Sequence, residues 1–189
     1  MGLVLTTAPT KDPVSLDEVK QWLRISSGDT SQEQIITTLI KACTRSAELC
    51  MKRSLIAQTL TWEADSEDIK SPIYLPRPGI NSITSFTTYD SAGASTLVSS
   101  SNYELVEALF IVARNDGWTI NRRRRAATIV YSAGIYTNRA DVPDDIRLAI
   151  LKMIGTHYQM RQDAVPGTIV SNVTQDAYSL LKPYEYWRP

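Results

Sequence analysis

Histidine and cysteine, which supply most metal ligands and many catalytic groups, are scarce in this sequence. Its 189 residues include one histidine, His157, and two cysteines, Cys43 and Cys50. A structural zinc site takes about four such ligands, and the chain also lacks the phosphate-loop, dinucleotide-binding, hydrolase and metalloprotease motifs. We therefore expect no enzymatic activity, no metal and no cofactor.

The few residues of these types have simpler interpretations. Cys43 and Cys50 stand two helical turns apart, about 10 Å along the axis, whereas a disulfide needs Cα atoms about 4.4–6.8 Å apart. We interpret both as small core residues. His157 follows Met153 and Ile154 at helical spacing, which favours the edge of a helical core over a catalytic or pH-sensing role.

Net charge and long apolar runs are also absent. Twenty basic and twenty acidic side chains give a formal net charge of zero, so no bulk field attracts the chain to nucleic acid or to an anionic membrane. The apolar runs are far shorter than the roughly 20 residues that cross a bilayer, and the start of the chain does not resemble a secretory signal. We expect a soluble protein that does not contact membranes, in a reducing, cytoplasmic setting.

Two capping patterns and a proline mark the predicted helices. Ser15 to Glu18 has the S-x-x-E form of a capping box, and Ser31 to Gln34 repeats that pattern before a longer helix that ends near Lys52. A third helix follows Pro143, which suits the first helical position, with Asp144 and Asp145 near the positive end of the helix dipole. The predicted helical core contains Leu23, Ile36, Leu39, Ile40, Cys43, Ile150 and Ile154.

Between the second and third helices the pattern changes to short alternating runs rich in β-branched and aromatic residues, which predict strands. Asp90 to Gly93 is a hairpin turn. The candidate strands are Thr59 to Ala64, Ile73 to Leu75, Ile80 to Tyr89, Tyr103 to Val106, Leu109 to Val112 and Thr128 to Ser132.

The predicted fold class is α+β, with a small helical core of about three helices, an inserted and mainly antiparallel β subdomain, and an extended C-terminal tail. Residues 1–14 form an N-terminal arm and residues 15–163 the main domain. Within that domain the helical core spans residues 15–55 and 142–163, and the β insertion spans residues 56–135. Residues 164–189 form the tail, because Pro166-Gly167 breaks the third helix and Pro183 opposes another one.

Charged side chains suggest two candidate surfaces. One face of the second helix carries Lys41, Arg45, Glu48 and Lys52, which is typical of a solvated or subunit-facing side. The run Arg122, Arg123, Arg124 and Arg125 places four guanidinium groups side by side. It is interpreted either as a solvated turn with inter-subunit salt bridges or as a contact with passing DNA or an acidic partner. The acidic groups at Asp65 to Asp68 are interpreted as a polar loop, without the ligand spacing of a calcium loop.

Aromatic residues in the tail form a third candidate surface. Tyr178, Tyr184, Tyr186 and Trp187 lie in a segment without helical or alternating support. Aromatic side chains bury large areas and often anchor interfaces. The alternative is a tail that folds back on its own domain.

The order of these motifs resembles the head-tail connector (adaptor) proteins of tailed phages, in the branch that has a β region inserted into a helical core. The resemblance covers about residues 13 to 162. It rests on Pro13 to Lys20, Trp22 to Ile25, Ile35 to Leu49, Leu75 to Pro78 with Ile83, Tyr89 to Gly93, Tyr103, Trp118, Val130 to Gly134, Val142 to Ile146 and Ala149-Ile150. The arginine run departs from the family pattern, which often has Trp-Pro near this place.

This resemblance implies a structural virion protein of the head-tail neck that assembles in the host cytoplasm. Such a subunit forms a homo-oligomeric ring, typically of about twelve copies with heterologous contacts. The ring lies between the portal protein and the next neck or tail-completion protein, with possible non-specific contact to exiting DNA. Because related connectors hold the portal through their C-terminal segments, Tyr178, Tyr184, Tyr186 and Trp187 are the expected portal-binding residues.

A small DNA-binding or DNA-packaging accessory protein is the alternative function. It would require a net basic domain and a recognisable helix-turn-helix. Neither feature is present in the sequence.

Overall fold

The computed structural model describes residues 2–114, 118–120, 124–160 and 173–187. The chain divides into a β unit, Met1–Thr10 with Ile56–Ile135, and a helical unit, Lys11–Leu55 with Tyr136–Pro189. The described residues contain four α-helices and two antiparallel sheets. The predicted α+β class with an inserted antiparallel β region is therefore confirmed.

The β unit contains a five-stranded sheet and a three-stranded sheet. Their orders are β1-β2-β8-β4-β5 and β3-β7-β6, and all neighbouring strands are antiparallel. The strands are β1 (Gly2–Thr7), β2 (Gln58–Ala64), β3 (Ile73–Tyr74), β4 (Ile80–Tyr89), β5 (Ser95–Leu97), β6 (Tyr103–Val106), β7 (Phe110–Ala113) and β8 (Ala127–Ala133).

Alternating side chains give the larger sheet one core-facing side. In both β2 and β8 every second residue is buried and the residues between are partly exposed, as the two-residue period of a strand requires. The core of the β unit consists of Leu60, Trp62, Ala64, Ile69, Ile73, Leu75, Ile80, Phe86, Val98, Ile111, Ala126, Ala127, Ile129, Tyr131 and Ala133.

Aromatic side chains organise this core. The Phe86 ring lies 4.9 Å from that of Trp118 in an edge-to-face arrangement and 5.8 Å from that of Tyr103. The polar ends of the aromatic residues are bonded, since the Trp118 indole donates to the Ile69 carbonyl at 2.8 Å and the Tyr131 hydroxyl donates to Pro76 at 2.5 Å. Large aromatic area is thus buried without leaving these two polar groups unsatisfied.

Two parts of the larger sheet depend on special backbone positions. The predicted hairpin turn at Asp90 to Gly93 is confirmed, with Gly93 at φ +89° and its N–H bonded to the Asp90 carbonyl at 3.1 Å. At Gly134, next to the end of β8, a Cβ atom would lie 2.3 Å from the Ala57 backbone nitrogen. Only glycine fits such a close approach of two backbone segments.

The predicted N-terminal arm contributes a strand. Gly2–Thr7 pairs with β2, with Leu3 opposite Trp62 and Leu5 opposite Leu60. Strand β5 was also absent from the sequence prediction. Both are uncharged edge strands. The partner of β1 is distant in the sequence, and β5 has only three residues, all exposed, so local pattern does not reveal either strand.

The helical unit contains α1 (Leu16–Trp22), α2 (Glu33–Met51), α3 (Asp144–Gln159) and α4 (Val173–Leu181). The first capping box is confirmed, because the Glu18 N–H donates to Ser15 Oγ at 3.1 Å and the Ser15 N–H donates to Glu18 Oε2 at 2.7 Å. The buried apolar residues of this unit are Val14, Val19, Ile36, Ile40, Cys43, Ala47, Met51, Leu55, Val142, Ile146, Ala149, Ile150, Met153, Ile154, Ala177 and Leu181.

Three local predictions for this unit are wrong. Ser31 does not cap α2, because Asp29 Oδ1 binds both its N–H and its hydroxyl, and the cap position is occupied by Gln32. Pro143 stands at the cap of α3 instead of the first helical position. Leu23 and Leu39 are only partly buried, and Leu23 lies at the end of α1, where the chain leaves the helix.

The C-terminal tail is not extended where it is described. Val173–Leu181 forms α4, which packs on α2 and α3 and buries Ala177 and Leu181. These two residues stand at helical spacing on one face. Pro183 does oppose a longer helix, because α4 ends at Leu181 and a short 3₁₀ turn, Lys182–Tyr184, follows. Pro166 and Gly167 lie outside the described residues.

Candidate interaction surfaces

The C-terminal end of α2 is the point at which the last described residues of the chain are held. Lys52 caps this helix in the left-handed conformation, at φ +55°. The carbonyl of Met51 accepts the Tyr186 N–H at 2.9 Å. Lys52 Nζ lies 2.8 Å from Glu185 and 4.6 Å from the centre of the Trp187 ring. An ion pair, a cation–π contact and a backbone hydrogen bond thus fix Glu185 to Trp187 in place.

The other tail aromatics have different surroundings. The Tyr184 hydroxyl contacts Asp145 at 3.4 Å, and partial desolvation with this neighbouring carboxylate raises the pKa of Tyr184. The ring of Tyr186 lies 5.6 Å from the guanidinium of Arg53. Trp187 keeps 70% of its surface exposed. The tail therefore folds back on its own unit, which was the alternative to a free tail, while its last described aromatic stays accessible.

Tyr178 lies on a shallow cavity of about 410 Å³ whose lining is mostly apolar. Cys50, Ser179, Lys182 and Glu185 form the rest of the lining. Burial, with a contribution from the Glu185 charge, raises the pKa of Cys50, and burial raises the pKa of Cys43 to about 11. Neither thiol is activated as a nucleophile, because the reactive form is the thiolate.

The predicted charged face of α2 is only partly on the surface. Lys41, Arg45 and Lys52 are exposed, but Glu48 is buried. Its carboxylate accepts the Leu55 N–H at 2.9 Å, since the chain reverses after Lys52 and covers this side of the helix. Glu48 therefore does not belong to the exposed face, and its acceptor role at the chain reversal is one that helical spacing could not reveal.

Only part of the arginine run lies in the described structure, because Arg122 and Arg123 fall outside it. Arg124 and Arg125 are exposed. The Arg125 N–H donates to Asp65 Oδ1 at 2.8 Å, and its guanidinium lies 2.5 Å from Glu63. This hydrogen bond to Glu63 and the charge of that carboxylate raise the pKa of Arg125. The last arginine is therefore balanced by acidic groups of its own β unit.

The single histidine and the acidic cluster near Asp65 have simple surroundings. His157 is exposed on α3. Asp68 Oδ2 accepts the Asp65 N–H at 3.1 Å, as expected for a polar turn. Across the described ranges, no group of three or more His, Cys, Asp or Glu residues could hold a metal ion. No helix in these ranges is long and apolar enough to span a bilayer.

An ion cluster that the sequence analysis missed joins α1 to α3. Glu18 contacts the Arg147 guanidinium, which also lies 3.0 Å from Asp144, and Arg139 approaches Glu18 at 3.9 Å. Burial alone would raise the pKa of Glu18, but the Ser15 N–H and Arg147 lower it overall. The partners are about 130 residues apart, so spacing gives no signal for this cluster.

Comparison with known protein families identifies the family of this chain. The family model described as "Head completion protein" matches residues 14–174. The chain belongs to the head completion protein family. This result confirms the resemblance to head-tail connectors that the sequence motifs indicated. No curated protein sequence matches this member of the family.

Solved structures share the fold of this head completion family member. A chain from the "Virion of native gene transfer agent (GTA) particle" has a TM-score of 0.76 and 17% identity. Chains from the "Neck of empty GTA particle computed with C6 symmetry" and the "Neck of native GTA particle computed with C12 symmetry" have TM-scores of 0.76 and 0.72, each at 18% identity. Each match covers 100% of this chain and 97% of the other. At such identities the likeness establishes the fold.

Proposed function

We propose that this chain is a structural subunit of the head-tail neck of a virus-like particle, and that it forms a ring between the portal protein and the next neck or tail protein. The observation that carries this proposal is the head completion family match over residues 14–174. The similar chains come from necks with C6 and C12 symmetry, which supports a ring of about twelve copies with heterologous interfaces.

A structural, non-enzymatic role is consistent with the described side chains. Both cysteines have raised pKa values, and the described residues form no metal cluster. The alternative, a DNA-binding or packaging accessory protein, has no support from the family match, and the zero net charge gives no general attraction to DNA.

Three surfaces are assigned to the assembly. Exposed Lys41, Arg45 and Lys52 form the inter-subunit face of α2. Glu48 is buried and does not belong to this face. The tail aromatics bind the portal, with Trp187 as the accessible anchor. The arginine run lines the pore or an inter-subunit surface, where Arg125 contributes little free charge because Glu63 balances it.

The experiment that tests the function adds the purified protein to DNA-filled heads that carry a portal but lack the connector. We expect ring-shaped density at the portal and retention of DNA. Protein that binds DNA fragments but never associates with such heads would overturn the proposal in favour of the accessory role.

Two charge variants test the surfaces. Lys41→Ser with Arg45→Ser is expected to weaken assembly on the portal, and Lys70→Ser, an exposed lysine of the β unit, is the matched control. Changing all four arginines at positions 122–125 to serine is expected to reduce DNA retention. If these variants assemble on the portal and retain DNA normally, the side chains of both surfaces are ordinary solvated groups without a role in the assembly.

A further inference from the structure

Among the described residues, the two edges of the larger sheet in the β unit have no neighbouring strand. Its order β1-β2-β8-β4-β5 gives β1 and β5 a hydrogen-bonded neighbour on one side only within the described chain. In an antiparallel pair, alternate residues direct their N–H and C=O groups away from the partner. Soluble proteins usually protect such edges with charges, proline or a covering segment. Neither Gly2–Thr7 nor Ser95–Leu97 contains a charged residue or a proline.

Exposed apolar side chains concentrate on the same two strands. Among the described residues of the β unit, the large apolar side chains that are exposed are Val4, Leu5, Leu97 and Ile135. Three of these four belong to the edge strands. Val4 is 58% exposed and Leu97 is 69% exposed, so each edge offers an unpaired backbone together with apolar surface.

The pairing register puts the two most exposed of these residues on one side of the sheet. Val4 stands opposite Thr61, whereas the residues on either side of it face the buried Trp62 and Leu60. Leu97 stands opposite Thr87, which lies between the buried Phe86 and Thr88. Val4 and Leu97 therefore both project from the side opposite the core, and Leu5 projects toward the core side.

A cavity lies on the flank of β5. It has a volume of about 480 Å³, and its lining includes Thr88, Thr96, Leu97, Asn102 and Trp118. Thr88 is a core-side residue of β4, so a strand added beside β5 would direct its core-side residues toward this space.

Strand directions fix how the edges can meet. Because all neighbours in the five-stranded sheet are antiparallel, the first and fifth strands run in the same direction. Rotation about a ring axis preserves the sense of a strand along that axis, so a contact between β1 of one copy and β5 of the next would be parallel. This contact is heterologous, as a closed ring requires, and it covers both edges of every copy.

From these observations we infer that β1 of each subunit adds to β5 of its neighbour in a parallel pair, with Val4 of one copy beside Leu97 of the next. The occupant of each bare edge is thus a second copy of this chain. Neither strand brings a charged side chain of its own to the contact. The inference rests on the proposed ring and specifies one of its interfaces.

Disulfide trapping tests this pairing. Val4→Cys and Leu97→Cys are prepared singly and together, all with Cys50→Ser to remove the half-buried native thiol. Within one chain the two edges are four strand spacings apart, roughly 19 Å, too far for an internal disulfide. After oxidation of the assembled protein, the double variant is expected to give a ladder of dimers, trimers and larger species. An equal mixture of the two single variants is expected to give dimers only.

The controls separate the edge pairing from the ring itself. Val4→Cys paired with Ala92→Cys, at the exposed hairpin turn, is expected to give no ladder. Native mass measurement, with and without portal, reports assembly independently of cross-linking. A ring without the ladder overturns the edge pairing alone, as does cross-linking of Val4→Cys with itself. Absence of any ring, even on the portal, overturns the proposed function as well.

A charge on the edge gives a second readout. Val4→Lys is expected to raise the concentration at which half of the protein assembles by at least tenfold, without a change in melting temperature, because lysine on an edge strand opposes strand addition. Ala92→Lys is the matched control and is expected to assemble normally. Assembly of Val4→Lys at the wild-type concentration would overturn the inference.

Discussion

The two units of this protein are stabilised by different combinations of forces. The β unit relies on a continuous apolar core, and its described ion pairs, Arg114 with Glu104 and Arg125 with Glu63, lie at the surface. The helical unit places charges where water is partly excluded. Lys20 is buried against Glu33 at 2.6 Å, and the Glu18 cluster joins α1 to α3. Mutations of apolar residues should therefore weaken both units, whereas changes of pH and salt should act mainly on the helical unit.

The units also differ in how their surfaces are completed. In the helical unit the returning C-terminal residues cover apolar positions of α2 and α3, so the chain supplies its own cover. In the described part of the β unit the outer sides of β1 and β5 have no strand beside them. This difference suggests that the β unit depends more on a neighbouring copy and the helical unit more on its own tail.

The largest effect is expected from Phe86→Ala. Phe86 is fully buried between Trp118 and Tyr103, and loss of such a ring costs about 3–5 kcal/mol. The free energy of unfolding is measured by chemical denaturation, with hydrogen exchange to locate the loss. Exchange should accelerate in the peptides of β2, β4 and β8. Equal acceleration in the peptides of α2 and α3 would contradict the separation into two units.

Leu181→Ala is expected to have the next largest effect. Leu181 is fully buried at the end of α4, so its truncation should cost about 2–5 kcal/mol. The matched control is Leu49→Ala, at an exposed position of α2, which should change stability by less than about 0.5 kcal/mol. Similar values for the two variants would show that α4 does not stabilise the unit.

Glu18→Gln tests the contribution of charge to the helical unit. The pKa of Glu18 is lowered below 4.5 in the folded protein, so its carboxylate stabilises the fold above its unfolded pKa. That contribution is lost as the pH falls through the folded value. We expect a loss of about 1 kcal/mol at neutral pH and a weaker decline of stability in acid than in the wild type.

Thermal unfolding at neutral pH and at pH values below 4.5 measures this difference. Asp17→Asn, an exposed first-turn residue of the same helix, is the control and should keep the acid dependence of the wild type. If Glu18→Gln loses stability in acid as steeply as the wild type, Glu18 is not the source of that dependence.

Much of the fold follows from local pattern. The bounds of β4 and β6, the capping box at Ser15 and the turn at Gly93 were predicted from neighbouring residues alone, because their hydrogen bonds and packing arise within one element. The family motifs then gave the function class. Strand β1 and helix α4 were missed because distant parts of the chain complete them. Strand β5 was missed because its three exposed residues are too few to show an alternating pattern.

The sequence identified which residues could form interaction surfaces, but it did not show which residues surround them. Helical spacing correctly placed Lys41, Arg45 and Lys52 on the surface, but it could not show that the turn after Lys52 buries Glu48. The tail aromatics were identified as possible anchors. Their contacts with residues 51–53 of α2 and the turn after it could not be read from the sequence, because the partners are about 130 residues away.

The smallest effect is expected from Lys52→Gln, which tests how firmly the last described residues are held. The change removes the ion pair with Glu185 and the cation–π contact with Trp187. Lys52 is half-exposed, and exposed ion pairs contribute about 0–1 kcal/mol, so the melting temperature should hardly change. The Tyr186 N–H bond to Met51 and the buried Leu181 remain.

Trp187 should nevertheless become more mobile, and iodide should quench its fluorescence more strongly. The measurement uses a parent protein in which the other three tryptophans, Trp22, Trp62 and Trp118, are replaced by phenylalanine, so that Trp187 alone is observed. Lys182→Gln, a lysine of the same surface without a described ion pair to Glu185, is the control. High salt should raise the quenching of the parent protein toward that of Lys52→Gln, because salt screens the ion pair. Quenching that is identical in the parent and in Lys52→Gln would mean that the backbone bond of Tyr186 alone holds this segment.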